Sequence, residues 1–189
     1  MYSQEKLRIA VSLENSRLEP TNLKLTRSFT STAQTRDKHY HGIIISSASL
    51  YEHEKLLNLS ANTELFFISS AFIDYKPVDE VILNITKEIL SEKMPRSIDF
   101  ADIRLLNQQA DILFGFDDLE STTTFLSTQD KNRIVGCIYL AHSPLSPDKY
   151  QSLCDKLKIH ISDNGYFFSG FGEPSPSECT ILLGMKFRE

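Results

Sequence analysis

Apolar positions along the chain follow two periods. The stretch LRIAVSL (7–13) alternates and is rich in β-branched residues, and GIIISS, from Gly42 to Ser47, is a short continuous apolar run. The first predicts a strand and the second a buried parallel strand, with a long polar stretch between them that has room for a helix or crossover. Residues 48–59 carry a weak helical period, and ELFFISSAF (64–72) is a further apolar patch. The strongest helical pattern runs from Val78 to Glu92, with Val78, Val81, Ile82, Ile85 and Ile89 on one face. Pro77 stands directly before it, where a missing N–H costs least, and Pro95 marks its end. Its apolar face is not broad, which predicts packing between two layers. Ser97 or Asp99 is placed to cap a second helix through Asn107. Then come a strand at ADILFGF (110–116), a Ser/Thr-rich segment around 120–128 and a strand at NRIVGCIYLAH (132–142). The signal Ser146-Pro147 opens a helix to Lys158. Two strands close the chain, 159–171 and 178–187, joined by the turn-rich EPSPS. Strand runs alternating with helical stretches read as an α/β fold.

Composition narrows the function classes. The 189 residues are 41% hydrophobic and 24% charged, which suits one globular domain or two small ones sharing a core. A chain of this length buries roughly 70% of its unfolded surface and needs neither disulfides nor a structural metal. Lys and Arg number 20 against 25 Asp and Glu, and no stretch concentrates them, which argues against nucleic acid or an anionic membrane as partner. The opening MYSQEKLRIAVSLE has Glu5 and Lys6 where a signal peptide needs its apolar core, so a cytoplasmic location is expected. Cys137, Cys154 and Cys179 are odd in number and lack CxxC spacing, so reduced, mostly buried thiols are expected and no zinc site. His39 and His41 alternate around Tyr40 without a visible third or fourth ligand, so no metal is expected there. Asp117, Asp118 and Glu120 read as a solvated acidic loop. No Gly-x-Ser-x-Gly elbow and no Cys/His pairing supports nucleophilic catalysis.

MPRSIDFADI (94–103), between the two predicted helices, is more specific. It resembles the activating loop of FtsZ, the bacterial relative of tubulin, whose pattern is Gly-x-x-Asn-x-Asp-Phe-Ala-Asp followed by a branched apolar residue. Asp99, Phe100, Ala101, Asp102 and Ile103 match in order, while Met94 and Ser97 replace the family's Gly and Asn. The flanks also resemble the family. YKPVDEVILNITKEIL (75–90) resembles its central helix, and LRIAVSLENSRLEP (7–20) and GIIISSASL (42–50) resemble earlier strands. The segments from Asn132 onward resemble its second domain in the order strand, turn, helix, strand, hairpin, strand. The likeness is strong from about Asp79 on and loose before it.

The resemblance implies a mixed sheet with helices like the FtsZ/tubulin C-terminal domain, joined by a central helix to a truncated remnant of a Rossmann-like nucleotide domain. The implied parts are 1–77 for the remnant, 78–96 for the central helix and loop, and 97–189 for the C-terminal-like domain. In the family the two loop carboxylates act in trans on the GTP of the next subunit along a filament, and here Asp99 and Asp102 take those positions, with Arg96, Ser97 and Phe100 on the docking face. A carboxylate that orients water suits phosphoryl transfer, which is mostly positioning and charge stabilisation. The same pair equally suits helix capping and the macrodipole. Tyr75 and Asp79 correspond to guanine contacts and Glu19 to a ribose contact. Tyr75 and Asp79 alternatively read as an aromatic packed on the sheet and an exposed acid.

The Gly-rich phosphate loop of the family is missing: the chain has only 7 Gly, and Gly165, Gly170 and Gly172 lead into no helix. The expectation is therefore no cofactor, GTP binding that is weak or absent, and no autonomous GTPase. The leading reading is an interaction module that docks on an FtsZ/tubulin-type filament in cell division and caps or modulates its assembly. The alternatives are a self-associating relic or scaffold of the fold, and a weak guanine-nucleotide-binding protein. The chain ends shortly after its last strand, so the family's terminal peptide for membrane anchors, and with it direct membrane tethering, is not expected.

Overall fold

The early apolar runs do form strands, and they pair in parallel. The computed structural model describes residues 9–12, 42–46, 64–72, 76–91 and 98–187. Strand β1 (Ile9–Ser12) pairs with β2 (Gly42–Ser46), β2 with β3 (Glu64–Ser69), and β3 with β4 (Ile112–Phe116), all parallel. Beyond β4 the sheet continues through β7 (Cys179–Met185), β5 (Ile134–Ala141) and β6 (Tyr166–Phe171), giving the order β1-β2-β3-β4-β7-β5-β6. The pairings β4–β7 and β7–β5 are antiparallel, and β5–β6 is parallel. The fold is thus a mixed seven-stranded α/β sheet, as expected, and strands from both sides of the central helix share it.

Period-two alternation splits the core between the two faces. Ile138, Leu140 and Leu182 point to one side with helices α1 (Lys76–Leu90) and α2 (Phe100–Gln109). Cys137, Tyr139, Ile181 and Leu183 point to the other with α3 (Leu119–Ser127) and α4 (Pro147–Lys158). Helix α1 crosses β1 to β4 and β7, and its expected stripe is at most 1% exposed throughout. It starts at Lys76, so Pro77 lies within its first turn, where a missing donor is still harmless. Asp79, Asn84, Thr86 and Glu88 are buried as well, so α1 is covered well beyond its apolar stripe.

Three expectations are corrected, and the unassigned Ser/Thr-rich segment gains an element. The Ser/Thr-rich segment is helix α3. Asp118 caps it by accepting from Ser121 N–H at 2.7 Å, and the Thr122 and Thr123 hydroxyls donate to the carbonyls of Asp118 and Leu119. Those side-chain bonds usually weaken a helix, but Phe125 packing on Phe114 and Phe116 (5.1 and 5.3 Å between centroids) outweighs them. Asp118 and Glu120 therefore belong to a helix start rather than to an open acidic loop. The strand predicted from 159 begins only at Tyr166, because the end of α4 runs on into turns through Ile161, with Ile161 N–H on Lys158 O at 3.1 Å. Gly165 closes the last of these turns onto Ser162 O at 2.8 Å, and a Cβ there would lie 2.3 Å from Ile161 Cγ2. Lastly, β6 and β7 form no hairpin. Strand β5 lies between them, Ile138 pairing with both Phe168 and Leu182, and the 173–177 connector carries the chain past it.

All three cysteines are free and buried, and burial pushes the Cys137 and Cys179 thiols far above their ordinary range. Among the described residues no helix is long and apolar enough to cross a membrane. The weak helical period of 48–59 and the His39–His41 pair lie outside the described residues.

Candidate functional site

Helix α2 begins at the motif that carries the resemblance, and Asp99 is its cap. Asp99 Oδ1 accepts from the N–H groups of Ala101 (2.7 Å) and Asp102 (3.1 Å). Asp102 Oδ2 accepts in return from Asp99 N–H at 2.8 Å, which completes a reciprocal capping box with an acid in each place. The other Asp102 oxygen, Oδ1, accepts from the Tyr166 hydroxyl on β6 at 2.8 Å. Burial, with the neighbouring Asp102 carboxylate adding to it, pushes the Tyr166 phenol well above its ordinary range, so it stays a donor. Three of the four carboxylate oxygens are thus engaged inside the chain, and Asp99 Oδ2 takes no hydrogen bond among the described residues.

Apolar anchors hold this turn in place. Ile98 and Ile103 flank it, each 1% exposed. Phe100 turns onto Phe66 of β3, edge to face at 5.4 Å. Arg104 lies over the outer side of Phe100, 5.0 Å from its centroid, and pairs with Glu64. Asn107 donates to Leu65 O at 3.2 Å, so β3 fixes α2 by three contacts and β6 by one. At the base of α2, Leu106 drops into a slot made by Gly136 of β5 and Gly184 of β7, which are cross-strand partners; a Cβ on either would lie 2.6 or 2.7 Å from Leu106 Cδ1.

The structure brings Asp99, Phe100 and Asp102 together and leaves Asp99 exposed at the surface. Asp79 sits apart from them in the first turn of α1 and is 1% exposed, so it is not the exposed acid of the alternative reading. Arg96, Ser97, Tyr75 and Glu19 lie outside the described residues. The capping alternative for the Asp pair is realised in the geometry, with Asp99 rather than Ser97 as cap.

A second polar cluster was not singled out by the sequence. His142, just past β5, has Nδ1 2.6 Å from Glu173 O and Nε2 2.7 Å from Thr180 Oγ1. A carbonyl only accepts, so Nδ1 carries the proton and Nε2 takes the Thr180 hydroxyl. Asn84 of α1 donates to Thr180 Oγ1 and to Ser175 Oγ, both at 3.1 Å. Burial holds His142 below its ordinary value, partly offset by the Glu173 carbonyl and by Glu88, while Lys87 lowers it further. Gly172 lies against the ring, where a Cβ would come within 2.9 Å of Cε1. A lone histidine after an apolar strand gives no sign of partners that lie far off in sequence, on α1 and β7. The cluster ties α1 and the 172–178 connector to the ends of β5 and β7. Among the described residues no group of three or more His, Cys, Asp or Glu could hold a metal ion.

No family model matches the chain, and no curated protein matches it. Two solved structures of FtsZ from M. jannaschii are distantly similar to it. One, a point mutant, is 14% identical with a TM-score of 0.39 over 78% of this chain and 47% of that one. The other, an empty dimer, is 14% identical with a TM-score of 0.37 over 78% of this chain and 45% of that one. The chain thus spans about half the length of these FtsZ chains, and at such values neither a residue's role nor an activity passes from one to the other.

Proposed function

We propose that this chain is an FtsZ-like interaction module that docks through the start of α2 on FtsZ/tubulin-type filaments and caps or modulates their assembly in the cytoplasm. The observation that carries this reading is the motif Asp99–Ile103 at a capped helix start, with Asp99 exposed and its neighbours anchored on β3 and β6. Phe100 belongs to the docking face in this reading, and Arg96 and Ser97 are assigned to it from sequence alone. The carboxylates contribute to the shape of that face more than to hydrolysis, since the chain's own donors already occupy three of their oxygens. A chain with this face and no phosphate loop meets one neighbour and offers nothing to the next. In this reading its GTP binding is weak or absent, with Tyr75, Asp79 and Glu19 the remnants of a nucleotide site.

The test is polymerisation of full-length FtsZ with GTP, followed by light scattering and phosphate release, with substoichiometric wild type or Asp102→Ala. Shortened or abolished polymers at low ratios support docking, and a variant that still shortens them assigns the effect to the surface rather than the charge. Unchanged scattering and phosphate release at equimolar protein would reject it. A second reading, self-association, is favoured by the outer strand β6, which ends the sheet with six uncharged residues.

A further inference from the structure

Among the described residues, strand β6 is an edge with little to protect it. Its sequence, YFFSGF, contains no charge and no proline, the usual devices against pairing with another chain. It lies at the end of the sheet, five of its residues are half-buried, and Phe171 is 49% exposed. Tyr166 and Phe168 stack with each other and pack toward the α1/α2 core. Phe167 packs on the other face under Lys158, and Phe171 stacks on Tyr150 of α4 at 4.8 Å.

We infer that β6 pairs antiparallel with β6 of a second copy of this chain, about a two-fold axis through Ser169, making one continuous fourteen-stranded sheet from two seven-stranded ones. The inference rests on the self-association reading and needs no filament partner. Symmetry limits the register. A two-fold axis normal to the sheet keeps each face on its own side, so opposed residues must share a face, and only an axis through a residue satisfies that. With the axis at Ser169, Phe168 faces Gly170 of the second copy and Tyr166 faces Gly172, so each large ring on the α1/α2 side meets a glycine. On the other side Phe167 meets Phe171, and the two Ser169 side chains meet at the axis. Aromatic side chains across from glycines and an aromatic pair are favourable cross-strand contacts.

Charge does not oppose pairing along β6 itself. Each chain carries a net −5, which opposes association in general, and β6 offers a stretch where two copies meet without opposing like charges.

The experiment uses the full chain. Sedimentation velocity over a dilution series is expected to show a monomer–dimer equilibrium, and Phe171→Lys to weaken the dimer about tenfold, because symmetry counts each lost contact twice. Circular dichroism of that variant checks that it folds. Ser169→Cys places two thiols opposite each other at the axis and is expected to form a covalent dimer under mild oxidation. The native cysteines are buried, so wild type should form none. A wild type that stays monomeric at all concentrations overturns both this pairing and self-association. A dimer in which Ser169→Cys does not cross-link leaves self-association standing and overturns the β6 pairing.

Discussion

His142 shows how a single side chain can make the fold respond to pH. Its ring is neutral in the folded chain, with Nδ1–H on the Glu173 carbonyl and Nε2 accepting from Thr180. Burial holds its pKa below the ordinary 6.5 that an unfolded chain would show. Below about pH 6.5 the unfolded state therefore binds more protons than the folded one, and stability falls as pH falls until the folded ring also protonates. Chemical denaturation from pH 8 to pH 5 should show that loss in wild type, and His142→Gln should flatten it. An equal slope in both would move the effect to other groups. Asp99 and Asp102 make a different point, since a spacing that fits water positioning turns out to satisfy a helix start almost completely.

Helix α2 is placed by the contact of one leucine with two glycines. Leu106 Cδ1 fills the slot over Gly136 and Gly184, and Ala110 Cβ would lie 3.1 Å from a Cβ on Gly184. Gly184→Ala should lift the helix base and cost about 1–3 kcal/mol, measured as a lower urea midpoint. Because the capping box sits on the same helix, that variant should also weaken the Tyr166–Asp102 bond; an unchanged midpoint would mean that α2 can slide without loss. Much at this level was legible beforehand. Helix α4 runs from Pro147 to Lys158, as its Ser146-Pro147 signal predicts, because capping and a proline's fixed φ act within a single turn. Helix α3 was not legible, because its stability comes from aromatic packing against β4.

The sheet joins the two parts of the chain through a short seam. Strands β3 and β4 pair only at Ile68–Leu113 and Ser69–Phe114. Helix α1 splints that seam from above, with Val81 beside the space over Gly115 and Ile68 on its other side. Unfolding followed by far-UV circular dichroism and by tyrosine fluorescence, the chain having no Trp, should give one shared transition. Val81→Ala should lower it by about 2 kcal/mol. Separate transitions would show that the strands on either side of the seam unfold as independent units.

Local chemistry decided what could be read along the chain. Alternation over 7–13 and the continuous run from Gly42 to Ser47 marked strands, a 3.6-residue stripe marked α1, and Ser97 or Asp99, and Ser146, marked where two helices begin, because each signal acts between residues a few positions apart. Whatever depends on residues far apart came from the tertiary structure alone. The order that sets β5 between β6 and β7 follows from sheet pairing across the whole chain. The burial of Asp79 and the bond from Tyr166 to Asp102 follow from elements brought together over 64 residues and more of chain. Pairing partners and buried hydrogen bonds are chosen by what else is near in space, and no window of sequence contains that.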